Sequence, residues 1–332
     1  MRIVIVGAGS WGTALGKIWA EAGHRVILLA RRQEVVESIN THRENPRYLP
    51  GIKLPSCLEA TLRQEVLREA ELLVWAVPCQ GLREAARGAT RVLTAPPPML
   101  SVIKGLEVET FCTPLEILEQ VFGRGEYMVL SGPSFALEVA RGLPTAVVLA
   151  GKTARLSFWQ ERLSRPVFRI YRSEDVRGVE LCGALKNVMA IASGISDGLE
   201  LGLNARAALI TRGLAEMIRL GLKLGARPLT FSGLAGLGDL VLTCTGPLSR
   251  NYRVGRRLAA GEPLDQILRN LGQVAEGVET VKAVRRLAHD LRLEMPITEA
   301  VFRVLYAGVS PARALQELLA RPLKEEFAPL PL

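Results

Sequence analysis

Three features of the sequence predict an N-terminal α/β half built on a mostly parallel sheet, followed by an all-helical half. Short apolar runs of strand length alternate with helical periodicities up to about residue 171. The first run leads at once into a glycine-rich turn and a helical pattern. Beyond about residue 176 only helical periodicity continues. Strands alternating with helices give a parallel sheet covered on both faces, the doubly wound arrangement. A chain of 332 residues holds two such units, since domains run to roughly 100–200 residues. The change of pattern divides it into 1–176 and 177–332.

Residues 2–6 read as a buried strand, and 12–22 as a helix that Gly23 stops. Residues 25–30 form a second strand, completing a βαβ unit of about 30 residues. Further strands are expected at 71–77, 99–103, 127–130, 144–149 and 167–171. Helices are expected at 178–196, 204–224, 251–260, 264–271, 277–291, 297–306 and 311–319. The tail 321–332, with three prolines, is expected to be poorly ordered.

Composition excludes several classes of function. Apolar residues make up 48% and charged residues 23%, as in ordinary globular chains. The net charge of +9 comes from basic residues spread along the chain, without a run of five like charges or an interleaved aromatic platform. That pattern argues against nucleic acid and suits anionic small molecules. Cys57, Cys79, Cys112, Cys182 and Cys244 contain no C-x-x-C pair, and the three histidines show no ligand spacing. A disulfide framework and a metal site are therefore not expected, and reduced thiols point to the cytosol. The N-terminus does not read as a signal peptide, and no membrane-spanning segment is expected.

Gly7-Ala8-Gly9-Ser10-Trp11-Gly12 fits G-x-G-x-x-G between a strand and a helix, the Rossmann context for a dinucleotide. Gly7 permits the tight turn, Gly9 the approach of a pyrophosphate, and Gly12 helix–strand packing. An NAD-specific site places an acid at the end of the second strand. This chain has Ala30-Arg31-Arg32 there. Two guanidiniums grip a 2′-phosphate, so NADP(H) is expected to bind at least as well as NAD(H). A solvated basic turn is the plainer alternative.

Three charges stand alone in apolar segments. Lys104 is the only one between Arg91 and Glu107, at the carboxyl end of an expected parallel strand, where open α/β sheets bind ligands. Lys186 is the only one between Glu180 and Asp197, in a helix apolar on nearly every face. Asp239 is the only one between Arg227 and Arg250, among glycines. Each alone fits a structural ion pair. Three beside a dinucleotide turn point to a site. With no suitable histidine, a buried Lys186 with a lowered pKa is the candidate proton carrier. Asp239 would orient that lysine or a substrate hydroxyl. Ser249-Arg250-Asn251 opens a helix and fits a phosphate site, or an ordinary capped helix. Ser131-Gly132-Pro133-Ser134-Phe135-Ala136 follows a strand, a position that suits backbone donors facing the ligand cleft, or a simple turn.

These segments resemble bacterial NAD(P)-dependent glycerol-3-phosphate dehydrogenases. The resemblance rests on G-A-G-S-W-G-T-A (7–14), K-G-L-E (104–107), S-G-P-S-F-A (131–136), A-L-K-N-V-M-A-I (184–191), N-A-R-A-A-L-I-T-R-G-L-A-E-M (204–217), G-L-A-G-L-G-D-L-V-L-T-C-T (233–245), S-R-N (249–251) and M-P-I-T-E (295–299). It implies a Rossmann-like domain and an all-α C-terminal domain like that of 6-phosphogluconate dehydrogenase. It implies reduction of dihydroxyacetone phosphate to sn-glycerol 3-phosphate, for phospholipid synthesis, by a cytoplasmic homodimer. Lys186 would then be the proton donor, with Lys104 and Asp239 beside it. Substrate contacts are implied for Lys104, Gly132, Ser134, Lys186, Asn187, Asp239, Ser249, Arg250 and Asn251. Cofactor contacts are implied for Gly7, Gly9, Ser10, Trp11, Gly12, Arg31, Arg32, Lys104, Ala136, Arg250, Val274 and Glu276. Three other readings stay open on sequence: another lysine-dependent reductase, such as a ketopantoate reductase, a dinucleotide sensor without turnover, and, least favoured, a nucleic-acid binder.

Overall fold

The computed structural model describes residues 1–323, 325 and 326. Most of the tail expected to lack order therefore lies outside the described residues. An eight-stranded sheet organises the N-terminal half. Its strands are β1 (Arg2–Val6), β2 (Arg25–Leu29), β3 (Leu58–Thr61), β4 (Leu72–Trp75), β5 (Met99–Ser101), β6 (Tyr127–Ser131), β7 (Thr145–Gly151) and β8 (Phe168–Ser173). Their spatial order is 3-2-1-4-5-6-7-8. Every neighbouring pair is parallel except β6 and β7. The order reverses between β1 and β4, and the crevice above such a switch point is where ligands bind in open sheets.

Seven of the eight strands coincide with expected apolar runs, some trimmed by a residue or two. Sequence reading missed β3, because Leu-Glu-Ala-Thr is a four-residue edge strand with an exposed Glu59 and no apolar run. Within β1, Ile3 and Ile5 belong to one core and Val4 and Val6 to another, the alternation a two-sided sheet requires. The first core packs against α1 (Ser10–Glu21) and α6 (Leu156–Leu163). The second includes α3 (Leu82–Thr90) and α4 (Pro114–Phe122), and continues into the helical half. Two single-turn helices, α2 (Gln33–Glu37) and α5 (Ala136–Ala140), complete this half.

The helical half contains α7 (Val176–Gly198), α8 (Gly202–Lys223), α9 (Pro228–Ser232), α10 (Asp239–Thr245), α11 (Arg250–Ala259), α12 (Leu264–Leu271), α13 (Glu276–Asp290), α14 (Pro296–Tyr306) and α15 (Pro311–Leu319). All seven expected helices are present; α9 and α10 were not anticipated. Their sequence is broken by glycines around a π-type turn at Leu234–Gly238, which hides the helical period. Helix α7 is apolar and long enough to cross a membrane by length and composition alone, but 94% of that stretch is buried inside the fold. It is the core helix of this half, packed on by α8, α10, α11 and α13.

Close approach at two glycines fixes α11 against α7. A Cβ on Gly194 would fall 2.0 Å from the Tyr252 carbonyl oxygen, and one on Gly255 would fall 2.1 Å from that of Ile191. This crossing sets Ser249, Arg250 and Asn251, at the start of α11, beside the middle of α7. Gly194→Ala is expected to lower stability by about 1–3 kcal/mol through overpacking. Calorimetry reads it as a lower Tm; an unchanged Tm would show that the crossing tolerates separation.

Buried acids join distant segments of this half. Glu216 on α8 accepts from the backbone N–H groups of Ile297 (2.6 Å) and Thr298 (3.1 Å), in the first turn of α14. Burial pushes its carboxyl up to about 7, against the pull of those hydrogen bonds. The segments 204–217 and 295–299 are thus two sides of one contact.

Candidate active site

The three lone charges meet. Lys104 leaves the carboxyl end of β5, Lys186 lies midway along α7, and Asp239 opens α10. Asp239 Oδ1 accepts from Lys186 Nζ at 2.8 Å, and Oδ2 accepts from Lys104 Nζ at 2.7 Å. Lys186 and Asp239 are only 6% and 1% exposed, so both charges sit out of bulk water. The Lys186 ammonium also donates to Thr243 Oγ1 at 2.6 Å. Lys104 Nζ donates to the Gly132 carbonyl at 2.9 Å and lies 3.5 Å from Ser134 Oγ.

The electrostatics follow from burial and from this pairing. Burial pulls the Lys186 ammonium down to about 8; Lys104 adds to the effect, while Asp239 opposes it. Burial alone would raise Asp239, yet the two ammonium groups overcome it and hold the carboxyl below its usual range. Two lysines on one carboxylate leave a net positive charge where the sheet's carboxyl ends meet the helical half. Such a surplus is suited to an oxyanion.

A chain of amides ties this cluster to α11. Asn187 Nδ2 donates to the Lys104 carbonyl at 3.0 Å, and Asn251 Nδ2 donates to Asn187 Oδ1 at 2.9 Å. Asn251 Oδ1 in turn accepts from Gly277 N–H at 3.0 Å. Ser249 caps α11 by accepting from Tyr252 N–H. Arg250 donates to the Val274 carbonyl at 2.9 Å. Glu276 accepts from Cys79 N–H at 3.0 Å. Burial raises its carboxyl to about 7, opposed by that hydrogen bond and by Arg250.

The glycine turn follows β1, which lies two strands from β5 in the sheet. Gly7 has φ +116°, and a Cβ there would fall 2.5 Å from the Ala76 carbonyl oxygen at the end of β4. A Cβ on Gly12 would fall 2.1 Å from the Gly7 carbonyl oxygen, so the helix can follow the turn only with glycine there. Gly9, by contrast, has open space in front of it. The first turn of α1 has no side-chain cap and no acid, leaving its N–H groups available to an anion. The Trp11 indole N–H is buried without a partner. These features fit a dinucleotide. Ser10 Oγ donates to the Tyr48 carbonyl at 2.6 Å and lies 2.9 Å from Gln273 Oε1 of the helical half. Arg31 and Arg32 follow β2 and are exposed; Ala136 opens α5 after β6.

Sequence reading did not single out Thr243, Gln273, Asn45 or Tyr48. Only Thr243 carried a signal: it lies four residues after Asp239 and so shares its helix face.

The chain matches the family model of the NAD-dependent glycerol-3-phosphate dehydrogenase N-terminus over residues 2–157 and that of the C-terminus over 175–316. The chain belongs to the NAD-dependent glycerol-3-phosphate dehydrogenase family. Glycerol-3-phosphate dehydrogenase [NAD(P)+] of Nitratidesulfovibrio vulgaris (strain DP4) is 51% identical, covering 98% of this chain and all of that protein. The protein of the same name from Anaeromyxobacter sp. (strain K) is 49% identical with the same coverage. The crystal structure of glycerol-3-phosphate dehydrogenase from Coxiella burnetii superposes with a TM-score of 0.93 at 42% identity, covering 96% of this chain and 99% of that one. A ketopantoate reductase from Ralstonia eutropha has a TM-score of 0.61 at 16% identity, covering 95% of this chain and all of that one, a likeness of fold alone. As a member of this family the chain is an NAD(P)-dependent oxidoreductase, with the Rossmann-like and helical halves expected from its sequence.

Proposed function

We propose that the enzyme reduces dihydroxyacetone phosphate reversibly to sn-glycerol 3-phosphate, with Lys186 carrying the proton, and so supplies glycerophospholipid synthesis. The observation that carries this reading is the shared Asp239 carboxylate, which brings the partly buried Lys104 ammonium of one half and the buried Lys186 ammonium of the other to a single point. Residues 1–176 serve as the nucleotide-binding unit and 177–332 as the substrate unit. The glycine turn, Ser10, Trp11, Ala136, Val274 and Glu276 would hold the nucleotide, with Arg31 and Arg32 at the 2′-phosphate of NADP(H). A bound nicotinamide supplies the hydride for the carbonyl carbon.

Negative charge then develops on the carbonyl oxygen. Lys186 donates its proton there, and Asp239 and Thr243 hold its ammonium in place. Lys104 adds positive potential beside it. Gly132, Ser134 and Asn187 line the same position, and Arg250 with Ser249 and Asn251 at the start of α11 anchors the phosphate. Fixing the phosphate fixes the carbonyl, which is the proximity contribution. In the reverse direction a neutral Lys186 takes the hydroxyl proton. A positive overall charge of +9 favours encounter with both anionic partners. The scattered cysteines support a cytoplasmic enzyme, and the family resemblance supports a homodimer.

Arg250→Ala tests the phosphate anchor. Its KM for dihydroxyacetone phosphate is expected to rise on the order of a hundredfold, the size of a lost charge-assisted pair at a closed site, with a smaller change in kcat. Dihydroxyacetone, which lacks the phosphate, is expected to be turned over equally poorly by wild type and variant. An unchanged KM would remove Arg250 from the substrate site and favour a substrate without phosphate.

A further inference from the structure

The far end of the nucleotide site holds an ion arrangement that the roles given to Arg31 and Arg32 leave unused. Glu34, in the first turn of α2, accepts from Arg47 Nη1 at 2.9 Å and lies 3.9 Å from Arg32 Nη1. One carboxylate thus gathers two guanidiniums beside the carboxyl end of β2. All three side chains are about half exposed.

Arg47 is held there by the turn that binds the nucleotide. Asn45 donates from Nδ2 to the Ala8 carbonyl at 3.0 Å and to Thr13 Oγ1 at 2.8 Å. Ser10 Oγ donates to the Tyr48 carbonyl at 2.6 Å. Residues on both sides of Arg47 are therefore tied to the glycine turn and to the first turn of α1. The Arg47 guanidinium also lies over the Tyr48 ring, 5.7 Å from its centroid. Its position is fixed relative to the pyrophosphate turn, while its charge faces solvent.

We propose that Arg47 is a further cation of the 2′-phosphate subsite, and that Glu34 is an internal anion which the 2′-phosphate displaces. This rests on the reading of Arg31 and Arg32 given above. A phosphate offers three acceptor oxygens and up to two charges, so it outcompetes one exposed carboxylate for two guanidiniums. NAD(H) brings no such group and leaves the Glu34–Arg47 pair intact. Glu34 remains nearby as a like charge and weakens NADP(H) relative to NAD(H). Arg47 strengthens it. The balance of the two sets cofactor preference without either residue touching the reacting atoms.

The test is the Kd of NADPH and of NADH for the full chain without substrate, followed by nucleotide fluorescence. Arg47→Ala is expected to weaken NADPH on the order of fivefold, the size of one half-exposed ion pair, and to leave NADH unchanged. Glu34→Gln is expected to tighten NADPH by a similar factor and to leave NADH unchanged. Both effects should shrink at high salt, where exposed charges are screened. If Arg47→Ala lowers the Tm, Arg47→Gln, which keeps part of the aliphatic stem without the charge, replaces it. An equal change in both Kd values for Arg47→Ala, or an unchanged NADPH Kd for Glu34→Gln, overturns the inference. Arg32→Ala separates the levels. If it weakens NADPH while the Arg47 and Glu34 variants do not, only this inference fails. If it leaves NADPH unchanged as well, the underlying reading of the β2 end fails.

Discussion

Replacing Lys186 by Ala is expected to lower kcat for ketone reduction by about 10³–10⁴-fold while the protein stays folded. General acid catalysis contributes roughly 10²–10⁴-fold, and the variant also leaves Asp239 with one ammonium instead of two. Lys104 remains to neutralise that carboxylate, which is why folding should survive. Nucleotide binding should be retained, because the glycine turn belongs to the β1–α1 connection and Lys186 to α7. Wild-type pH dependence provides a second check. Lys186 loses its proton at about 8, and reduction needs the protonated form. The kcat/KM for reduction should therefore be flat at lower pH and fall as pH rises through about 8. Oxidation of glycerol 3-phosphate needs the neutral amine, so its kcat/KM should rise through the same value. Near-wild-type turnover in Lys186→Ala, or limbs of the same sign in both directions, would exclude Lys186 as the proton carrier.

Much of this site was legible because burying a charge is costly, so a lone charge in an apolar stretch has a partner. That reasoning marked Lys104, Lys186 and Asp239 separately, and they share one cluster across 135 residues of sequence. What it did not reveal was the pairing itself. Nothing in the local pattern says that both lysines take the same carboxylate, or that Thr243 completes the cage. Asn45 and Gln273 were invisible for a related reason. Each is an ordinary polar residue in a loop, and only the folded chain brings it to the glycine turn. Fold class was readable from periodicity, but β3 was not, since an edge strand buries one face and needs only two apolar residues. The antiparallel β7 was equally hidden: strand direction depends on how the chain returns after β6, and α5 is too short to mark it. Glu216 was read merely as part of a helix. Its position as the acceptor for α14 depends on a contact with no sequence neighbour.

The Asp239→Asn variant separates holding the charge from carrying the proton. The carboxylate is what keeps Lys186 charged in a site where burial and Lys104 both favour the neutral amine. Without it the Lys186 pKa should fall below its wild-type value of about 8, leaving much of the amine neutral at pH 7. Reduction at pH 7 is then expected to drop by about 10²-fold or more, within the range for a lost general acid. It should recover in part as pH is lowered through the new pKa. Oxidation, which starts from the neutral amine, should suffer less at the same pH. A merely structural residue would depress both directions together and leave the pH limbs in place. Removing one partner of a buried ion pair also costs about 3–5 kcal/mol, because it strands the remaining charge. Here Lys186 can shed its proton, so the loss should lie near the lower end and should grow as pH falls and its amine must charge. Calorimetry across pH reads that slope directly. A pH–rate profile for Asp239→Asn that overlays the wild type would show that the carboxylate does not set the charge of Lys186, and the shared-carboxylate account of catalysis would fail with it.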